Sequence, residues 1–363
     1  MRDVWRGQAA SESNSPAGTT PPSPLKGRAL AVRIPVGLLG TASLLPGRAV
    51  TTDELARSMD PPRSTAEMER KTGIKVRHWT EPGTEMAPIA AEVLRKALDD
   101  AGMEAKELAR IIFVSSNGGD KLVPATANRV AALLGLAGTC DAFDLNNACM
   151  GFLTGFDIAA RSVATGLGPV AVVVVEMLSR GIRKEDPRPW LVGGDAAAAA
   201  IFGGAKSGEG ILEIALKNDG TLAEDVVCYQ SALTGKLEYL QFKQSSGEMV
   251  KTALDALVDG TNTVLGRAGL ALSDVDWVLP HQPNGRMLRL IVDALGIDEA
   301  RMVTVVPEIG SVAAAAIPVS LDRLLRTRPV RRGDRILMVG VGAGVSHGAL
   351  LFQVGRDARV SPG

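Results

Sequence analysis

Short apolar runs alternate with longer amphipathic stretches along most of the chain. The apolar runs are rich in Val and Ile and predict strands, for example at Ile111–Val114, Val170–Val175 and Arg335–Val339. The stretches Glu85–Ala101 and Glu248–Ala268 instead space their apolar residues at helical intervals. Strands without polar alternation are typical of parallel sheets that helices cover on both faces. The pattern therefore predicts an α/β fold.

The second part of the chain repeats features of the first. Gly102 and Asn117 flank one predicted strand, and Gly269 and Asn284 flank another, with the same offset in both pairs (269 − 102 = 167 and 284 − 117 = 167). Each copy follows a predicted amphipathic helix. The order and spacing favour two related halves of roughly 165 residues. Chance self-similarity between α/β segments stays open as an alternative.

The beginning of the chain differs from the rest in composition. Residues 1–28 are rich in Ser, Thr, Pro and Gly and contain almost nothing that could be buried, which predicts a disordered tail. The tail lacks the long apolar centre of a secretory signal. The remaining chain is predicted to divide into an N-terminal half, residues 29–207, and a C-terminal half, residues 208–363.

Composition argues against several classes of protein. The 363 residues include 40 Lys and Arg and 40 Asp and Glu, so the net charge of zero provides no field that attracts nucleic acid or an anionic membrane. The apolar runs are far shorter than the ~20 residues of a transmembrane helix. Three Cys and three His show neither a disulfide framework nor metal-ligand spacing. We therefore predict a cytoplasmic enzyme without a metal ion or cofactor.

Cys149 lies at a predicted turn between a strand and a helix. The strand ends near Leu145, and the helix runs from about Gly151 to Ala164. A thiol at the positive end of a helix is expected to have a lowered pKa and to form the reactive thiolate. The alternative is a small buried cysteine with only a packing role. Cys140 and Cys228 have no comparable setting.

His281 and a glycine-rich loop are two further candidates. His281 directly follows the predicted strand Trp277–Pro280, at the sheet edge where α/β proteins bind ligands. The loop Gly340–Gly344 is followed by another predicted strand, Val345–Val354, which argues against a nucleotide-binding fingerprint. Its glycines would instead let backbone amides approach a site.

Four segments together resemble the β-ketoacyl-acyl-carrier-protein synthase III family of the thiolase fold. They are Asp144–Phe152 around Cys149, His281–Arg286, Lys71–Ile74 and Gly340–Gly348. The resemblance covers about Val36–Val354. It implies a five-layer αβαβα sandwich made of two duplicated halves, and a homodimer.

The resemblance also implies site residues and a reaction. Cys149 would take an acyl group from a thioester as a covalent intermediate, with His281 as its partner and ping-pong kinetics. The Cys149 amide and one amide of the glycine loop would form the oxyanion hole. The loop residues concerned are Gly342, Ala343 and Gly344. Asn284 and Phe152 are predicted to bind substrate.

Two positions depart from the family pattern. Ser311 stands where the family has an active-site Asn, and a serine hydroxyl offers one donor where the amide offers two. The loss would weaken decarboxylative condensation, unless Ser311 acts through a water or the alignment is one residue off. Glu67 stands where the family often has a Trp that helps to hold coenzyme A. This favours an acyl carrier protein as donor, although drift of a surface position would also explain it.

The preferred prediction is therefore an acyltransferase of polyketide or antibiotic biosynthesis. It would move an acyl or aryl-acyl group from a carrier protein through Cys149 to a second carrier protein or a hydroxyl acceptor. The alternative is a decarboxylating β-ketoacyl-acyl-carrier-protein synthase III that makes a starter unit. A third hypothesis, a catalytically inactive binding partner, conflicts with the intact Cys149 and His281. For carrier-protein docking the sequence offers a basic cluster of a kind that is more often an ordinary solvated face: Arg180, Arg183 and Lys184.

Overall fold

The computed structural model describes residues 31–358. The tail predicted over residues 1–28 lies outside this range. The described residues contain eleven α-helices: α1 Thr52–Ser58, α2 Thr65–Thr72, α3 Met86–Ala101, α4 Thr126–Leu133, α5 Gly151–Ala164, α6 Pro187–Trp190, α7 Ser231–Thr234, α8 Ser246–Ala268, α9 Gly285–Leu295, α10 Val306–Ile309 and α11 Ala316–Thr327.

The same residues contain fourteen strands. They are β1 Ile34–Pro35, β2 Gly37–Leu44, β3 Arg48–Thr51, β4 Val76–Trp79, β5 Arg110–Val114, β6 Asp141–Leu145, β7 Val170–Met177, β8 Asp195–Gly203, β9 Gly210–Asn218, β10 Val226–Val227, β11 Gln241–Phe242, β12 Trp277–Pro280, β13 Arg335–Gly342 and β14 Ser346–Gln353.

Four strands of each five-stranded sheet repeat one pairing scheme, whereas the fifth strands, β6 and β1, have no counterpart in the other sheet. The first sheet has the order β2-β8-β7-β5-β6, and the second has the order β1-β9-β14-β13-β12. In the first, β5 pairs with β7 in parallel, and β7-β8 and β8-β2 are antiparallel. In the second, β12 pairs with β13 in parallel, and β13-β14 and β14-β9 are antiparallel. The predicted duplication is thus confirmed at the level of strand pairing.

Helices cover both faces of each sheet. Helices α3 and α4 pack on the outer face of the first sheet, and α8 and α9 lie on the outer side of the second. Helices α5 and α11 lie between the sheets, where their apolar faces meet strands of both. This is the predicted five-layer αβαβα sandwich. Burial on both faces explains why β7 is apolar at every position except Glu176.

One strand crosses between the halves. Ile34 and Pro35 of β1 pair antiparallel with Ile211 and Gly210 of β9 in the second sheet. After a single residue, Val36, strand β2 enters the first sheet. The predicted boundary near residue 207 therefore separates the two sheets apart from β1.

Candidate active site

The turn that carries Cys149 is fixed on both sides. Ala148 has a φ of 45°, a left-handed conformation that costs a non-glycine residue roughly 1–3 kcal/mol. The Asn146 side chain accepts a hydrogen bond from the Ala148 amide at 3.1 Å. The side-chain nitrogen of Asn147 donates a hydrogen bond to the Thr154 hydroxyl at 2.8 Å, and its side-chain oxygen accepts one from the Ser346 hydroxyl at 2.9 Å. These bonds hold Cys149 just before the first turn of α5.

Cys149 is a thiol in the resting protein. As a residue it is half-buried, but protein atoms surround its sulfur. Burial, and secondarily the charge of Glu176, raises the pKa of the Cys149 thiol to about 12. The prediction of a lowered pKa is therefore wrong, because the desolvation of the thiolate outweighs the influence of the helix end. The thiol has to lose its proton when the substrate arrives.

His281 is buried beside the end of β12. The residue is 3% exposed, and its amide donates to the Val339 carbonyl at 2.8 Å. Its Nδ1 atom is buried without a hydrogen-bond partner among the described residues. Burial lowers the pKa of His281 to about 4, so the imidazole is neutral at pH 7. A neutral imidazole has one nitrogen that accepts a proton and one that donates a hydrogen bond.

Gln282 positions His281, and sequence reasoning did not single it out. This fully buried side chain donates to the Val303 carbonyl at 2.8 Å. Its oxygen accepts from the amides of Val305 at 2.9 Å and Val306 at 3.2 Å. The adjacent loop therefore cannot shift without breaking three buried hydrogen bonds. A Gln next to a candidate His was the only signal available in the sequence.

The glycine loop at the end of β13 meets the Cys149 turn. A Cβ on Gly342 would lie 2.9 Å from the Cys149 amide nitrogen, so only glycine fits this approach without displacement. Within the described chain the Cys149 amide donates to no other residue. It is therefore available to a substrate oxygen, as an oxyanion-hole donor has to be.

His281 and the glycine loop line one cavity. The cavity has a volume of about 120 Å³, and Gly342, Ala343 and Gly344 form part of its wall. Cys149 itself is not one of the lining residues. Gly342 connects the two places, because it lines the cavity beside His281 and also closely approaches the Cys149 amide.

Comparison with known proteins identifies the family. The sequence profile of 3-oxoacyl-[acyl-carrier-protein (ACP)] synthase III matches residues 143–220, and the profile of the C terminal part of that enzyme matches residues 265–354. The β-ketoacyl-[acyl-carrier-protein] synthase III of Neisseria meningitidis serogroup C is 32% identical over 316 residues, which are 86% of this chain and 98% of the relative. The chain belongs to the β-ketoacyl-acyl-carrier-protein synthase III family.

Solved structures agree with this assignment. The 3-oxoacyl-(acyl carrier protein) synthase III of Pseudomonas aeruginosa PAO1 has a TM-score of 0.80 at 28% identity, covering 90% of this chain and 100% of that one. The priming β-ketosynthase from the R1128 polyketide biosynthetic pathway has a TM-score of 0.81 at 27% identity, covering 91% and 99%. The thiolase-like fold predicted from the sequence is confirmed.

Ser311, at the position of the family's Asn, lies on the loop after α10. Its amide donates to the Val192 carbonyl at 2.7 Å, and its carbonyl accepts from the Gly194 amide at 2.8 Å. Its side chain makes no hydrogen bond within residues 31–358. Ser311 lies outside the lining of the cavity that contains His281. Its catalytic role stays a prediction.

The two predicted substrate-binding residues have structural roles. The Asn284 oxygen accepts from the Met287 amide at 2.9 Å and so caps α9. Phe152 is fully buried and packs against Phe156, with the ring centroids 6.1 Å apart. Neither residue lines the cavity. Contact with a substrate remains a prediction for both.

Glu176 is a site residue that sequence reasoning missed. This fully buried carboxyl accepts hydrogen bonds from the Ser116 amide at 3.0 Å, the Ser116 hydroxyl at 2.7 Å and the Ala314 amide at 3.2 Å. Burial raises its pKa to about 8. The bonds join the loop after β5 to the segment that follows Ser311. An acidic residue inside an otherwise apolar run was a signal that could have identified it.

The basic residues proposed for carrier-protein docking already have partners within the chain. Arg180 lies 3.6 Å from the Asp120 carboxylate, and the Arg183 guanidinium lies over the Tyr239 ring at 5.0 Å. Lys184 donates to the carbonyl of Ser58. The docking role of this cluster stays a prediction.

Residues 31–358 contain neither a membrane-spanning helix nor a cluster of metal ligands. None of the helices there combines the length and the apolar character needed to cross a membrane. No group of three or more His, Cys, Asp or Glu side chains in that range is arranged to hold a metal ion.

Proposed function

We propose that this protein makes a β-ketoacyl starter unit by two steps at Cys149. In the first step the Cys149 sulfur attacks an acyl thioester, the carbon–sulfur bond of the donor breaks, and the donor leaves as a free thiol. In the second step a malonyl unit on an acyl carrier protein loses CO2, and the resulting carbanion attacks the acyl-cysteine. The product is a β-ketoacyl thioester, and the Cys149 thiol is restored.

The similarity to named synthases carries this proposal. Relatives called β-ketoacyl-[acyl-carrier-protein] synthase III match 98% of their own length, and the R1128 priming ketosynthase matches 99% of its chain. They favour the decarboxylating alternative over the condensation-free acyltransferase that the sequence alone favoured. Polyketide biosynthesis as the context rests on the R1128 enzyme.

The geometry of the site is compatible with both steps. Neutral His281 can accept the Cys149 proton in the first step. In the second step it can donate a hydrogen bond to the thioester oxygen of the malonyl unit, on which negative charge develops. The Cys149 amide and an amide of the glycine loop would stabilise the tetrahedral oxyanion of each step. Such donors are worth about 10²–10³ in rate each.

A second candidate function is acyl transfer without condensation. Ser311 favours it, because a serine hydroxyl is shorter than the side chain of the family's Asn and offers one donor where the amide offers two. Loss of one donor to a developing enolate costs about 2.7–4 kcal/mol by analogy with oxyanion-hole deletions. Transfer to a second carrier protein or a hydroxyl would not need that donor.

The proposal includes a carrier-protein donor and a homodimer. Glu67 supports the carrier-protein donor. It stands at the family's coenzyme A-stacking position, forms an ion pair with Lys71 at 2.5 Å on the surface of α2, and cannot stack on adenine.

Leu122 and Val123 support the homodimer. They are 79% and 84% exposed, which is typical of side chains that a partner covers. Both features support the proposal without identifying the acyl group.

The deciding experiment supplies an acyl-acyl-carrier-protein donor and malonyl-acyl-carrier-protein to the purified protein. Release of CO2 with a product two carbons longer is the expected result, and Cys149→Ala has to abolish it. Ser311→Asn is expected to raise the condensation rate by about 10²-fold while the acylation of Cys149 stays unchanged. Acylation of Cys149 without CO2 release from the wild-type protein would establish the second candidate instead.

A further inference from the structure

The cavity beside His281 has an unusual mixture of walls. Most of its lining is apolar, including Leu222, Val226 and Met249. Besides His281, three polar side chains interrupt this lining: Asp225, Gln244 and Thr252. Asp225 and Gln244 come from the segment between β9 and α8, and not from the motifs around Cys149 and His281.

Several polar side-chain atoms of this cavity have no hydrogen-bond partner among the described residues. Asp225 Oδ2 is buried and accepts no hydrogen bond among the described residues. The side chains of Gln244 and Thr252, which also line the cavity, make no hydrogen bond in the same range. Buried polar atoms are nearly always satisfied, so an orphaned carboxylate oxygen at a cavity wall indicates a donor on a ligand.

Neighbouring cations do not neutralise Asp225. Lys243 is the closest basic residue along the paired segment, and its ammonium binds Glu224 at 2.9 Å and also contacts Tyr229. Glu224 in turn accepts from the Tyr229 hydroxyl at 2.9 Å. The Glu224 carboxylate therefore already binds Lys243 and Tyr229, whereas Asp225 Oδ2 can still accept a hydrogen bond from a ligand.

The backbone holds Asp225 in place beside the reacting groups. Its amide donates to the Leu222 carbonyl at 3.2 Å, and its carbonyl accepts from the Lys243 amide at 2.8 Å. The same segment is tied to the glycine loop, because Asp219 and Val345 exchange two backbone hydrogen bonds of 2.9 Å. Asp225 is thus a fixed part of the wall that faces His281.

We propose that Asp225 selects an acyl group that carries a hydroxyl or amino substituent, whose hydrogen bond Oδ2 accepts. The inference rests on the proposed function, because it assigns the cavity to the acyl chain delivered to Cys149. The apolar walls contact the carbon chain, and the Asp225 carboxylate accepts the hydrogen bond of its substituent. An unsubstituted chain would leave the buried oxygen without a partner and is therefore the poorer substrate.

The test compares N-acetylcysteamine thioesters of butyrate, 3-hydroxybutyrate, 4-hydroxybutyrate and 3-aminobutyrate. The rate of acyl addition to Cys149 is followed by intact-protein mass spectrometry. At least one substituted chain is expected to react about 10-fold faster than butyrate with the wild-type protein. Asp225→Leu should bring all four rates within about 2-fold of each other, by removing the acceptor. Glu224→Gln, at the neighbouring exposed carboxylate, should leave the preference unchanged.

A binding measurement separates this inference from the proposed function. In Cys149→Ala, isothermal titration calorimetry should find that the preferred substituted thioester binds about 10-fold more tightly than butyryl thioester. Equal affinities, or equal acylation rates for all four chains, would overturn the role of Asp225 and leave a cavity that holds only water. Failure of the wild-type protein to acylate Cys149, with the binding preference present, would overturn the proposed reaction alone.

Discussion

Three buried ionisable groups are mainly neutral in the resting protein. At pH 7 Cys149 is a thiol, His281 is a neutral imidazole and Glu176, with a pKa of about 8, is mostly protonated. The neutral form of each group is the less costly one to bury. Cys149 and His281 are thus expected to become charged only when a thioester enters and the proton leaves Cys149.

Replacement of Glu176 by Gln should make Cys149 more reactive in alkaline solution. Above about pH 8 the Glu176 carboxylate is charged and helps to hold the pKa of Cys149 high. The variant lacks this charge, so iodoacetamide should alkylate Cys149 roughly 3- to 10-fold faster at pH 9, with little difference at pH 6. Glu185→Gln, an exposed carboxylate, serves as the control. Superimposable pH profiles for wild type and Glu176→Gln would contradict this electrostatic role.

Replacement of Gly342 by Ala should impair acylation without unfolding the protein. The added methyl group would crowd the Cys149 amide, 2.9 Å away, and displace this proposed oxyanion-hole donor. We expect acylation of Cys149 to slow by about 10²–10³-fold. Gly204→Ala is a matched control, because a Cβ there meets nothing within 4 Å. The measurements are single-turnover mass spectrometry and the thermal midpoint, and an unchanged acylation rate would remove the glycine loop from the oxyanion hole.

Some residues of the candidate site could be predicted from the sequence, and others could not. Cys149, His281 and the glycine loop were predicted, because each lies at a strand end where local pattern indicates a site. Glu176 was missed although its place in an apolar run was a signal. Asp225 gave no such signal, because the burial of its Oδ2 atom without a partner arises only from tertiary packing. The predicted lowering of the Cys149 pKa was wrong because desolvation of the thiolate depends on every element that packs around it.

Helices and strands with strong local signals were predicted most accurately. The helix expected from Gly151 to Ala164 and the strand Trp277–Pro280 have those bounds in the structure. Helix α8 begins at Ser246, two residues before the prediction. Ser245 accepts from the Glu248 amide while Glu248 reaches back to the Ser245 amide, and this capping box extends the helix beyond its apolar pattern.

Removal of the capping box should weaken α8. Ser245→Ala eliminates the acceptor for the Glu248 amide and is expected to lower the free energy of unfolding by about 1 kcal/mol in urea titration. Glu248→Gln keeps a side chain able to reach the Ser245 amide and should cost less than half as much. Equal losses for the two variants would show that the cap has no special role here.

Across the whole molecule, the duplication was the most informative feature of the sequence. Equal offsets between motifs predicted two halves, and four strands of each sheet share one pairing order. The crossing of β1 into the second sheet could not be predicted, because two residues are too few for any periodicity. The cavity could not be predicted either, because residues far apart in the chain form its wall.

That crossing strand has a consequence for dissection of the protein. A protease that cuts the exposed turn at residues 204–208 would separate the two sheets covalently, yet β1 would stay on the first fragment. The second fragment would keep an open edge at β9 that only the first can fill, in the manner of a donated strand. Nicked chains are therefore expected to remain associated, and neither fragment is a self-sufficient folding unit.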